Sequence, residues 1–135
     1  MIGAMTAAVK ARLDNGMVAA SIHPGMRVPG VALPVVLYDI TIRPTMRMPS
    51  TVGSRGHAEI VLTATVIDAM LVGALQVADD VRTVFDGGPF TDTTNGVKLV
   101  VTDMEYATGF EVPDDGNQDA ERTISVTITL QGTEI

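Results

Sequence analysis

"HAEIVLTATVIDAMLVGALQVADDVRTVF", residues 57–85, changes its period in mid-course. Ala58, Ile60, Leu62, Ala64 and Val66 alternate with Glu59, Val61, Thr63 and Thr65. Successive side chains of a strand point to opposite faces, so this reads as a strand with one dry face and one wetter face. From Leu71 the spacing becomes three and four. Leu71, Ala74, Leu75, Ala78, Val81 and Phe85 line one side, with Gln76, Asp79, Asp80 and Arg82 on the other. That is an amphipathic helix, with Asp68 placed to cap its start and "DGG" (86–88) to end it. A strand leading into a helix and then into another strand, "VKLVVTDM" (97–104), permits a parallel crossover.

Working outward, Ile2, Met5, Ala8, Val9 and Leu13 recur at helical spacing and predict a helix over residues 2 to 14, stopped at "DNG". "SIHPGMRVPG" (21–30), with two prolines and two glycines, reads as a loop, and "LPVVLYDITIR" (33–43) as a strand buried on much of both faces. The turn-rich "PFTDTTNG" (89–96) precedes the third strand, and the acidic "PDDGNQDAE" (113–121) precedes the last, "TISVTITLQG" (123–132). There Ile124, Val126, Ile128 and Leu130 alternate with Thr123, Ser125, Thr127 and Thr129. The expected architecture is an α+β, two-layer single domain over residues 1–135: a mixed four-stranded sheet with two helices packed on one face. Long loops are expected at about 43–57 and 105–122.

A chain of 135 residues can bury a real core, here built from Val, Ile, Leu, Ala and Met because aromatics are only 4%. It has no cysteine, hence no disulfide and no thiolate metal site. The apolar stretch at the N-terminus precedes its positive charges, the wrong order for a secretory signal, and no apolar run is long enough to span a bilayer; a soluble protein with no membrane association is expected. The net charge of -7 hides a division. Residues 1–57 carry six bases against two acids, a balance of +4, and residues 58–135 carry three bases against fourteen acids, a balance of -11.

Candidate chemistry is sparse. His23 and His57 have no ligand spacing around them, so no metal or other cofactor is expected. "DDGNQD" (114–119) departs from a calcium loop, since its glycine falls third instead of sixth. The pairs Asp79/Asp80 and Asp103/Glu105 read as surface residues, and there is no nucleophile elbow, P-loop or dinucleotide fingerprint. The chain reads as a non-enzyme. Arg43, Arg47 and Arg55 gather three of the seven arginines in one Pro/Gly-punctuated stretch, and the matching concentration of opposite sign is Asp114, Asp115, Asp119 and Glu121. Arginine suits planar, bidentate pairing with carboxylates, so these two groups are the expected subunit or partner interface. A basic end and an acidic end suit the head-to-tail contact that closes rings.

The short first helix "MIGAMTAAVKARL", the "ALPVVLYDI" strand with its Leu-Pro start, the strand-into-helix stretch at 57–87 and the closing "TISVTITLQGTEI" together resemble the tail terminator, or tail-completion, proteins of long-tailed bacteriophages, over nearly the entire chain. The resemblance implies a small α+β subunit of a six-membered ring. Such a ring caps the tail tube at its head-proximal end, stops polymerisation and joins the head, in a virion assembled in the host cytoplasm. Its partners would be copies of itself, the tail tube protein and a head-completion or connector protein, with DNA passing through the lumen without specific binding. It implies no catalytic residue. Other readings of the same chain are a head-completion or tail-tube protein of the same particle, or an assembly-factor binding module that never enters a virion.

Overall fold

A computed structural model describes residues 2–16, 21–25, 33–44, 56–111 and 121–135. Eight elements follow in order: α1 (Ile2–Gly16), β1 (Ser21–Pro24), β2 (Val35–Pro44), β3 (His57–Asp68), α2 (Leu71–Phe85), β4 (Phe90–Asp92), β5 (Val97–Glu111) and β6 (Glu121–Glu134). The strands form one mixed sheet in the order β1-β2-β3-β6-β5-β4. Among the described strands β1 and β2 pair in parallel, and the other neighbouring pairs are antiparallel.

The alternation in β3 and β6 places the core. Ala58, Ile60, Leu62, Ala64 and Val66 of β3 and Ile124, Val126, Ile128 and Leu130 of β6 are buried in one cluster with Val36 and Tyr38 of β2 and Val97 and Leu99 of β5. Met5, Ala8, Val9 and Leu13 of α1 and Ala74, Val77, Ala78, Val81 and Phe85 of α2 complete that cluster. Both helices therefore lie on one face of the sheet. Each buried Val, Leu, Ile or Phe contributes about 1.5–3 kcal/mol relative to exposure, and the β3–β6 pair and the two helices share that contribution. β3 and β5 run the same way because each is antiparallel to β6, which fills the slot left between them by the crossover through α2.

Arg12 ties three elements together. Its Nε donates to the Val84 carbonyl at the end of α2 (3.0 Å), and its guanidinium carbon stands 3.4 Å from the centre of the Phe90 ring in β4. A cation near a helix C-terminus is favourable, and the aromatic face adds to it. Partial burial lowers the Arg12 pKa from its ordinary value.

The four-stranded expectation is corrected to six strands. β1 and β4 lie inside the two segments read as loops, and they have only 4 and 3 residues. Strands so short carry too little alternation to be told from a turn; their partners β2 and β5 create them. The acidic loop is also shorter than expected, since β5 runs on to Glu111 and β6 begins at Glu121. The cap of α2 differs too. Met70 is the N-cap residue and makes no side-chain cap bond, while Asp68 Oδ1 accepts from the Ala69 amide at 2.7 Å.

Candidate assembly surface

No described helix covers the second face of the sheet. Val61, Thr63 and Thr65 of β3 and Ser125, Thr127 and Thr129 of β6 lie there half-buried, while Asp39, Thr41 and Arg43 of β2 and Asp103, Glu105 and Ala107 of β5 are exposed. The exposed set carries the charges, and position adds to the difference. β3 and β6 are flanked on both sides, and these parts of β2 and β5 on one side only. Val35, Ile67 and Thr123 make a small buried row at one end of this face. The Thr65 and Ser125 hydroxyls stand 3.5 Å apart across the β3–β6 pair.

Besides the outer sides of the short terminal strands β1 and β4, two longer stretches of backbone edge are open among the described residues. β1 covers β2 only along Val35–Tyr38, leaving Asp39 to Pro44 without a strand outside it. At the other margin β4 covers β5 only along Val97–Leu99. Past that point a bulge shifts the register between Val101 and Asp103, and the hydroxyl of Thr102 donates to the Thr129 carbonyl at 3.1 Å. From Asp103 onward β5 is an edge strand. Unpaired N–H and C=O groups on such edges are templates for another strand.

The residues expected to form an interface are placed unevenly. Arg43 is exposed in β2, inside a strand and not in the loop, with Glu59 of β3 beside it in register. Glu121 opens β6 opposite Glu111. Arg47, Arg55, Asp114, Asp115 and Asp119 lie outside the described residues. The structure puts other carboxylates on the same uncovered face as Arg43, namely Asp103 and Glu105. In the sequence that pair reads as surface residues without acid–base chemistry, with no link to Arg43. Its strand alternation was the available signal for a shared face.

A second exposed area lies at the start of α2. Met70 and Val72 are 69% and 73% exposed, and Leu75 and Tyr106 are both 48% exposed. Leu75, Ala78, Asp79, Arg82 and Tyr106 line a shallow groove beside the open part of β5. Arg82 Nε meets Asp79 Oδ1 at 3.3 Å along one wall, and partial burial raises the Tyr106 pKa. An apolar patch of this kind, rimmed by charge, is the usual mark of an interaction surface.

No protein-family model matches the sequence, and no curated protein matches it. The fold is similar to that of a chain in a solved structure described as the virion of a native gene transfer agent particle. The TM-score is 0.62 at 14% identity, with 98% of this chain and 96% of that chain covered. At that identity the likeness carries the fold, over nearly the full length of both chains.

Proposed function

We propose that this chain is a structural subunit of a phage-like virion, and that it assembles with copies of itself into a ring that closes the tail tube at its head-proximal end and joins it to the head. The observation that carries the reading is the sheet: helices on one face, a hydrophilic second face, and an open stretch of edge on β2 toward one margin and on β5 toward the other. A subunit with two different edges can be propagated by rotation, each copy offering one edge to the next, which is a heterologous contact that closes when the rotation does. The full-length likeness of fold to a virion chain supports the particle, and the resemblance to tail terminators supports the position and a six-membered ring.

On this reading the uncovered face lines the channel. It carries Asp39, Glu59, Asp103 and Glu105 against Arg43 and Lys98, an acidic balance over a bed of threonines. Like charge keeps DNA from adhering as it passes. The subunit would act by shape and contact, without catalysis or cofactor, and its partners would be the tail tube protein and a head-completion or connector protein. The test is to add the purified protein to growing tail tubes and image them by negative stain. Rings seated at one tube end, with elongation halted there, are expected. Tubes of unchanged length with bare ends would refute the terminator role.

A further inference from the structure

We infer that the open edge of β2 pairs with the open edge of β5 of a second copy, antiparallel, in the register that sets Arg43 opposite Asp103. The inference rests on the ring reading and names the contact that builds it. β2 and β6 run one way and β3 and β5 the other, so β2 and β5 of one subunit are antiparallel. Rotation about an axis along the strands preserves both strand direction and the helix-covered side. Copies related in that way bring β5 of one against β2 of the next as an antiparallel ladder, helix side matched to helix side.

The register follows from chemistry. On β2 the odd residues Asp39, Thr41 and Arg43 face the uncovered side, while Ile40 and Ile42 face the helices and pack against the core. Past the bulge, β5 has the same parity. Asp103, Glu105 and Ala107 pair with Thr129, Thr127 and Ser125 on the uncovered side, and Met104 and Tyr106 with Ile128 and Val126 on the helix side. Matching the faces allows only registers two residues apart. Setting Arg43 against Asp103 places Ile42 against Met104, Thr41 against Glu105, Ile40 against Tyr106 and Asp39 against Ala107. Every charge then avoids its like and both isoleucines meet apolar partners. Slipping by two in one direction sets Asp39 against Glu105, two like charges. Slipping the other way sets Ile40 against Thr108 and leaves Met104 opposite Pro44.

The flanks bound the same window. β1 occupies the edge of β2 as far as Tyr38, and the Gly25 amide donates to the Tyr38 carbonyl at 2.9 Å, so pairing begins at Asp39. Pro44 ends β2 as the bulge at Thr102 ends the regular part of β5. Proline and bulges are the devices by which natural edges limit pairing. Six residues of one edge are therefore offered to six of the other. Beyond Ala107, β5 continues along its own β6 to Glu111, and pairing with the neighbour's β2 stops where β1 takes over that edge.

The chain has no cysteine, so an engineered pair reports without background. Directly opposed residues of an antiparallel pair stand about 4.5–5.5 Å apart at Cα, within disulfide reach. The variant Arg43→Cys with Asp103→Cys, oxidised after assembly, is expected to give a denaturation-resistant ladder of covalent multimers. Arg43→Cys with Met104→Cys, on opposite faces, is expected to give none. A ladder from Arg43→Cys with Glu105→Cys and none from the Asp103 pair would overturn the register. Rings visible by negative stain with no ladder from either pair would overturn the edge pairing and leave the ring reading standing; absence of any assembly by the parent protein would remove both. Charge reversal checks the contact without disulfides. Arg43→Glu is expected to raise the concentration for half-assembly about threefold or more, with Asp103→Arg in the same chain restoring it. Equal assembly by the single variant, or no rescue by the double, counts against the pairing.

Discussion

Gly132 lies tight against the core: a Cβ there would stand 2.9 Å from both Ile60 Cδ1 and Met5 Sδ, the ends of two fully buried side chains that would have to shift. Overpacking of this kind costs about 1–3 kcal/mol, so Gly132→Ala should lower the midpoint of urea unfolding with its slope unchanged. An unaltered midpoint would mean that α1 sits loosely on the end of β6. Asp92 offers a pH-dependent counterpart. Its carboxylate accepts from the Asn95 side chain (2.7 Å) and the Asn95 amide (3.0 Å), and these bonds lower its pKa below the ordinary carboxylate range. A folded pKa below the unfolded one gives a contribution present above the unfolded value and lost as pH falls through the folded value. Asn95→Ala should therefore raise the Asp92 pKa toward its ordinary value in an NMR titration. A pKa that stays put would assign the shift to another group. The "DTTNG" turn was visible in the sequence, but which side chain closes it was not.

At the scale of elements, what was legible followed from length. β3, β6 and the two helices span several periods each, enough for alternation or a three-and-four stripe to be unmistakable. β1 and β4 complete two periods at most, too few to stand out, and exist because a longer strand lies beside them. The stripe of α2 shows a different limit. Leu71 and Leu75 were grouped with the buried side, yet both are substantially exposed, while Val77 is buried. The apolar stripe is wider than the surface beneath it, since α2 overhangs the open margin of β5 beside Tyr106. The sequence carries the width of a stripe and not the width of what it packs on. One helix should thus answer mutation in two ways. Phe85→Ala empties a core position and should cost about 3–5 kcal/mol, whereas Val72→Ser should stay within about 0.5 kcal/mol in chemical unfolding. A large loss from Val72→Ser in the isolated subunit would place that residue in the fold and not on a surface.

For the whole molecule, composition points to assembly through charge, and of the two expected groups the described residues include Arg43 and Glu121. Arg43 was expected to lie in a loop reaching toward Asp114, Asp115, Asp119 and Glu121. It stands instead on an open strand edge, on the same face as Asp103 and Glu105 of the opposite margin. Sheet order was the missing information, because six strands can be arranged in many ways with the same hydrophobic pattern. β6 entering between β3 and β5 is what turns β5 into a margin and makes the two edges antiparallel. The central claim, that this is a ring-forming subunit with two unlike edges, meets its most direct test in native mass spectrometry of the purified protein across a range of concentrations. The account predicts a closed species of one stoichiometry, six copies, that replaces monomer as concentration rises. A monomer at every concentration, or a ladder of ever longer oligomers with no preferred size, would contradict it.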